Sequence, residues 1–182
     1  RQVAGLNLVN LAQGALYIGQ TLALSNGNEP VTGWVLAKFD EAQYRVNLQV
    51  SDSLGQFVPG VIRLVRAWLD LDANPATINS VLHADFPQGD GLRVPGTLNS
   101  FELAVRAVLG QQITVAAANT LAGRLVARFG QAIDTPFSGL NCLFPSPQAL
   151  ACASGDDLGA LGIVKQRQAA IHALAQIGRA HV

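Results

Sequence analysis

The sequence predicts an α+β chain in which an N-terminal antiparallel sheet carries helices on one face and an all-helical region follows. Three observations predict it. Apolar and polar residues alternate with period two up to Val50, the period of a half-buried strand. After Ser51 and Asp52 the apolar positions recur at helical spacing instead. The chain then loosens at Asp85-Phe86-Pro87-Gln88-Gly89-Asp90, which places the boundary between a first domain, residues 1–86, and a second, residues 87–182.

Taken in order, Val3 to Val9 and Ala15 to Leu24 read as strands with Gln13-Gly14 as the turn of a hairpin. Ser25 to Pro30 is a second turn, Val31 to Phe39 a third strand, Asp40-Glu41-Ala42 a turn and Tyr44 to Val50 a fourth strand. Val58, Ile62, Val65 and Leu69 then share a helical face with Val61, Leu64 and Trp68, a helix suited to cover one side of the sheet. Asn74-Pro75 starts a further helix with Ile78, Val81 and Leu82 as its short apolar face. Beyond the loose stretch, Pro95-Gly96 forms a turn leading to Asn99, an N-cap, with Glu102 three residues on, where it can reach back to the Asn99 amide. Phe101, Val105, Val108 and Leu109 continue this helix to Gly110, which can close it in the left-handed conformation.

Thr114 caps the next helix, whose stripe is Val115, Ala118, Leu121, Leu125, Val126 and Phe129, ended by Gly130. Ser146 caps a short helix at Pro147, Leu158 to Ile163 gives another, and Gln166 to Ile177 is the last, with Ala170, Ile171, Leu174 and Ile177 inward.

At 182 residues, 49% hydrophobic and 13% charged, the chain has the composition of a compact folded protein. No apolar run approaches the ~20 residues of a membrane span, and no basic leader precedes an apolar core, so the cytoplasm is the expected compartment and no membrane partner is expected. The chain opens at Arg1 and contains no methionine, so a longer parent is expected. Cys142 and Cys152 lack the spaced partners of a zinc site and are expected as reduced thiols in an apolar setting. No metal site and no cofactor are expected. Net charge is zero, but residues 1–90 hold five Lys/Arg against eight Asp/Glu (−3) and residues 91–182 seven against four (+3). Arg93, Arg106, Arg124 and Arg128 bias the second half toward a positive face.

Two helices therefore meet at Gln111-Gln112, where uncharged amides lie beside the positive end of a helix dipole. Spacing alone favours a solvated bend between the helices, and the corner is also a place where a phosphate or an opened base pair can be held.

The run "GLRVPGTLNSFELAVRAVLGQQITVAAANTLAGRLVARFG" resembles the bacterial 3-methyladenine DNA glycosylase II (AlkA-type) family, within the helix-hairpin-helix glycosylase superfamily. "RLVRAWLDLDANPATINSVL" resembles the end of that family's N-terminal domain, and the segments at Phe144-Pro145-Ser146-Pro147 and Leu161 to Ile171 resemble its "FPTP" and "LGxxxxRxxxI" motifs. The resemblance implies a DNA-facing junction at Gln111 and Gln112, the second residue entering the gap left by a flipped base where some members carry an apolar wedge. Gly110 and Thr114 flank it, and Arg93 and Arg106 are candidate DNA contacts that either meet phosphate or brace a loop through its carbonyls.

The expected partner is double-stranded DNA with an alkylated base. The family's catalytic aspartate, aromatic pocket walls and Gly-rich hairpin match nothing in this chain, so the resemblance implies a truncated helical glycosylase domain, with no catalytic residue and no base release by the chain alone. Family members also carry a strand and helix ahead of the position of Arg1, and their absence would leave a sheet edge open to self-association. Asp134, Asp156 and Asp157 read as cap or surface charges, and His83, His172 and His181 as packed or surface histidines. Trp34, Trp68 and Tyr17 read as sheet and core aromatics. The alternative function is a non-catalytic DNA-binding or regulatory module fused to an alkylation-response transcription regulator.

Overall fold

A computed structural model describes residues 2–3, 6–10, 16–25 and 30–179. The expected turn at Gln13-Gly14, the centre of the turn after Ser25, and His181 lie outside the described residues. Two compact units are present: one joins residues 1–56 to residues 99–182, and the other is Phe57–Leu98.

The first unit begins with an antiparallel meander in chain order: β1 (Gln2–Val3), β2 (Leu6–Asn10), β3 (Leu16–Ser25), β4 (Pro30–Asp40) and β5 (Arg45–Val50). Val3 to Val9 is two short strands rather than the single one expected, because Val3 pairs with Leu6 and Gln2 with Asn7. The long β3–β4 ladder runs from Tyr17 opposite Lys38 to Ser25 opposite Pro30. β4 joins β5 from Val35 opposite Val50 to Asp40 opposite Arg45. Asp40 shapes the intervening turn by accepting the Gln43 amide at 3.1 Å, and Tyr44 takes a left-handed φ of 50° there. Gly33 has a steric role: a Cβ at that position would stand 2.5 Å from Leu54 Cγ, and Leu54 is fully buried.

The helices of the same unit are α3 (Ser100–Gly110), α4 (Val115–Phe129), α5 (Pro147–Cys152), α6 (Gly155–Ala160) and α7 (Lys165–Arg179), following α1 (Val58–Trp68) and α2 (Pro75–Leu82) of the other unit. Side-chain oxygens cap them as expected, Asn99 accepting the Glu102 amide at 3.0 Å and Ser146 the Ala149 amide at 3.1 Å. Ser154 and Asp157 form a capping box on α6. Their apolar faces converge on Val105, Leu109, Leu125, Leu150, Leu158, Ile163, Ile171 and Ala175, a single buried cluster.

Two expected core positions are corrected: Val115 and Ile177 are 78% and 59% exposed, since each sits in an end turn beyond the packed helices. Gly130 ends α4 by close approach, because a Cβ there would lie 2.5 Å from the Val126 carbonyl oxygen and 2.7 Å from that of Leu143.

Non-local contacts among the described residues tie the sheet to the later part of the unit. Thr21 Oγ1 donates to the Cys142 carbonyl at 2.7 Å, and the Gln20 amide donates to Glu102 Oε2 at 3.1 Å. The rings of Trp34 and Phe137 meet edge to face at 4.9 Å. Both cysteines are free, and Cys152 is exposed rather than set in apolar surroundings.

In the second unit, α1 buries Val61, Val65 and Trp68. α2 starts at its Asn74 cap as expected, but it buries none of its side chains, and Val81 and Leu82 of its apolar face are exposed. The backbone at Asp70 is left-handed, with φ 52°. Arg93 donates to the carbonyls of Asp70 and Ala73, and Asp70 Oδ2 accepts the Val94 amide at 3.0 Å, so the loop after α1 is laced to residues 93–94. His83 Nδ1 lies 2.8 Å from Asp90 Oδ2, an exposed pair that the sequence spacing did not disclose.

Candidate nucleic-acid interface

Gly110, Gln111, Gln112 and Thr114 form one contiguous corner between α3 and α4. Gly110 is the last residue of α3 and does not adopt the left-handed conformation expected of it. The residue that does is Gln112, with φ 55°. Gln111 leaves the helix first, at φ −60° and ψ 126°, and its amide still reaches the Val108 carbonyl at 3.4 Å. The chain can therefore reverse over two residues and re-enter a helix at Thr114, whose hydroxyl accepts the Ala117 amide at 3.2 Å.

A left-handed glutamine is uncommon and costs energy, and such strain is characteristically held where a side chain must be aimed. Both glutamines are exposed, as are Thr114 and Val115 beyond them, while Ile113 turns inward against the buried cluster. The corner is thus anchored by one apolar side chain and presents two amides, a hydroxyl and a β-branched apolar residue. The first-turn amides of α4 add the positive end of a 15-residue helix.

Arg106 lies one turn back on α3 and is engaged with Glu102 and Phe144. Its Nε is 2.7 Å from Glu102 Oε1 and its guanidinium lies 5.5 Å over the Phe144 ring, with its side chain 20% exposed. Glu102 is 4% exposed, and its carboxylate bridges Arg106 and Gln20. Arg93 belongs to the other unit, where its guanidinium braces the Asp70 and Ala73 carbonyls. Arg124 donates to the Leu161 carbonyl at 3.1 Å, and Arg128 pairs with Asp157 at 3.1 Å. The Ser154 hydroxyl foremost, and then Arg128, hold the Asp157 carboxyl below its ordinary range. Among the described residues, no group of three His, Cys, Asp or Glu side chains could hold a metal ion, and no helix is long and apolar enough to cross a membrane.

One residue at the corner escaped sequence reasoning. Arg167 of α7 donates from Nη2 to the Gln111 carbonyl at 2.6 Å, across 56 residues of chain. Its place in the "LGxxxxRxxxI" segment was the available signal.

Residues 1–99 match the AlkA N-terminal domain family, and residues 105–179 match the HhH-GPD superfamily of base excision DNA repair proteins. The chain is 36% identical over 141 residues to DNA-3-methyladenine glycosylase 2 of Escherichia coli K12, covering 77% of this chain and 49% of that protein. It is 43% identical over 115 residues to the probable bifunctional transcriptional activator/DNA repair enzyme AlkA of Mycobacterium tuberculosis, covering 60% of this chain and 23% of that one. The chain thus spans half or less of these relatives' length.

Among solved structures, a 3-methyladenine DNA-glycosylase from Archaeoglobus fulgidus superposes with a TM-score of 0.70 at 22% identity, over 88% of this chain and 55% of that one. The 8-oxoguanine glycosylase/lyase of Clostridium acetobutylicum bound to double-stranded DNA does so with 0.60 at 9% identity, over 98% and 67%, which is a likeness of fold. The chain belongs to the AlkA-type family, its AlkA N-terminal domain continuing into a segment of the HhH-GPD base-excision-repair superfamily.

Proposed function

We propose that this chain is the DNA-engaging front part of a DNA-3-methyladenine glycosylase, and that the α3–α4 corner meets an opened duplex. Gln112 enters the space of the rotated nucleotide, filling it by size and amide hydrogen bonds. Gln111 and Thr114 hydrogen-bond beside it, Val115 adds apolar contact, and Gly110 is the helical residue that leads into the corner. The observation that carries this reading is the exposed left-handed Gln112 on a corner anchored from below by Ile113. Arg93 and Arg106 serve as braces of the scaffold, in keeping with their carbonyl and carboxylate partners.

Hydrolysis of the glycosidic bond is assigned to an aspartate outside these residues. Asp134 and Asp156 are exposed and Asp157 is engaged in a helix cap, so none has the shielded setting that an oxocarbenium-stabilising carboxylate needs. The test has two parts. Purified chain incubated with duplex carrying 3-methyladenine should release no base, and release would overturn the assignment of catalysis elsewhere. At low ionic strength the chain should bind a duplex with an abasic-site analogue more tightly than intact duplex, and Gln112→Ala should remove that preference. A preference untouched by Gln112→Ala would overturn the corner's role.

A second reading has its own support in the M. tuberculosis relative, whose name couples transcriptional activation to repair. In it the chain is a binding module of a regulator, and the coding sequence on either side decides: a downstream Gly-rich hairpin followed by an aspartate restores the enzyme, and its loss favours the regulator.

A further inference from the structure

The Gln111 carbonyl belongs to the peptide unit shared by Gln111 and Gln112, so its direction is fixed jointly by ψ of the first residue and φ of the second. Those angles are 126° and 55°. The second is unfavourable for a residue with a Cβ and needs an external hold. That hold is a charge-assisted hydrogen bond of 2.6 Å from Arg167 Nη2. The donor is well mounted: four residues on, Ile171 is fully buried in the same cluster as Val105 and Leu109 of α3. The guanidinium also sits at the carbonyl end of α3, where the helix leaves its last carbonyls without partners inside the helix and a cation is favoured.

We propose that Arg167 is the positioning residue of the DNA-facing corner: by clamping the Gln111 carbonyl it holds the Gln111–Gln112 peptide plane and so aims Gln112. This rests on the reading of the corner given above. Arg167 acts through the backbone of its neighbour and not on the nucleotide, which separates it from a residue that grips phosphate.

The test uses the full chain with Arg167→Ala, Arg167→Gln to keep part of the stem if the first variant folds poorly, and Arg167→Lys as the conservative variant. In the absence of DNA, backbone coupling constants of Gln112, which distinguish positive from negative φ, should average in Arg167→Ala, and Arg167→Lys should restore most of the native value. Unchanged couplings would overturn the clamp. With an abasic-analogue duplex, affinity should fall on the order of tenfold in Arg167→Ala, the scale of one hydrogen bond to a charged group. In a Gln112→Ala background the same change should cost less than about twofold, because two residues acting through one feature are not additive. An undiminished loss in that background would mean that Arg167 touches DNA itself and would overturn the proposal. If Gln112→Ala leaves binding intact while Arg167→Ala still shifts the couplings, the clamp stands and the DNA-facing reading falls.

Discussion

Replacing Gln112 separates backbone strain from side-chain function at one position. Gln112 is exposed, so truncating it removes no core packing, and its φ of 55° decides how each replacement changes stability. A left-handed residue with a Cβ costs about 1–2 kcal/mol relative to glycine, of which the larger backbone freedom of glycine in the unfolded chain cancels about 0.5–1 kcal/mol. Gln112→Ala keeps the strain and should match the parent within about 0.5 kcal/mol, as surface substitutions do. Gln112→Gly removes the strain and should be more stable than Gln112→Ala by about 0.5–1 kcal/mol. For a chain of this size that is a rise of about 1–4 °C in Tm.

Trp34 lies in the same unit as Gln112, so the loss of its indole N–H resonance on heating reports the shift. Both variants should lose preference for the abasic duplex, leaving Gln112→Gly more stable yet weaker in binding. A Gln112→Gly variant no more stable than Gln112→Ala would refute the strain argument.

Two further outcomes follow from the scaffold. Glu102→Ala deprives the buried Gln20 amide and the Arg106 guanidinium of the carboxylate between them, and should destabilise the sheet unit by about 3–5 kcal/mol in urea titration, with Glu102→Gln costing about 1–2 kcal/mol; a loss below about 0.5 kcal/mol in the alanine variant would show the bridge to be incidental. The Asp157 carboxyl is held below the usual carboxylate range by Ser154 and Arg128, so its stabilising contribution is present above the ordinary aspartate value and is lost as pH falls through the lower folded value. Protection factors of the first-turn amides of α6, taken after the intrinsic pH dependence of exchange is divided out, should therefore fall in acid in the parent, and Asp157→Asn should abolish that dependence.

The elements legible in the sequence are those whose signal is local. Asn74, Asn99, Thr114 and Ser146 cap the helices they were expected to cap, because a cap needs only an oxygen two or three residues ahead of an orphan amide. The period-two stretches became β3, β4 and β5 for the same reason. Periodicity identifies a stripe but not how far along it a neighbouring helix extends, which is why Val115 and Ile177 lie exposed at its ends. At the corner, Gly110 drew the left-handed assignment because glycine bears that conformation freely, whereas the turn geometry placed it on Gln112. Gln20 with Glu102, Thr21 with Cys142 and Arg167 with Gln111 are 82, 121 and 56 residues apart, and such pairings follow from packing, which leaves no spacing in one sequence.

The sheet unit is discontinuous, with residues 57–98 inserted between its two stretches. Dissection of the gene at the loop around Pro87 would therefore leave Gln20 on one product and Glu102 on the other, and likewise Trp34 and Phe137. Neither recombinant half would inherit a closed interior. Co-expression of the halves, or circular permutation that keeps both stretches in one polypeptide, is the route by which a soluble minimal domain can be obtained.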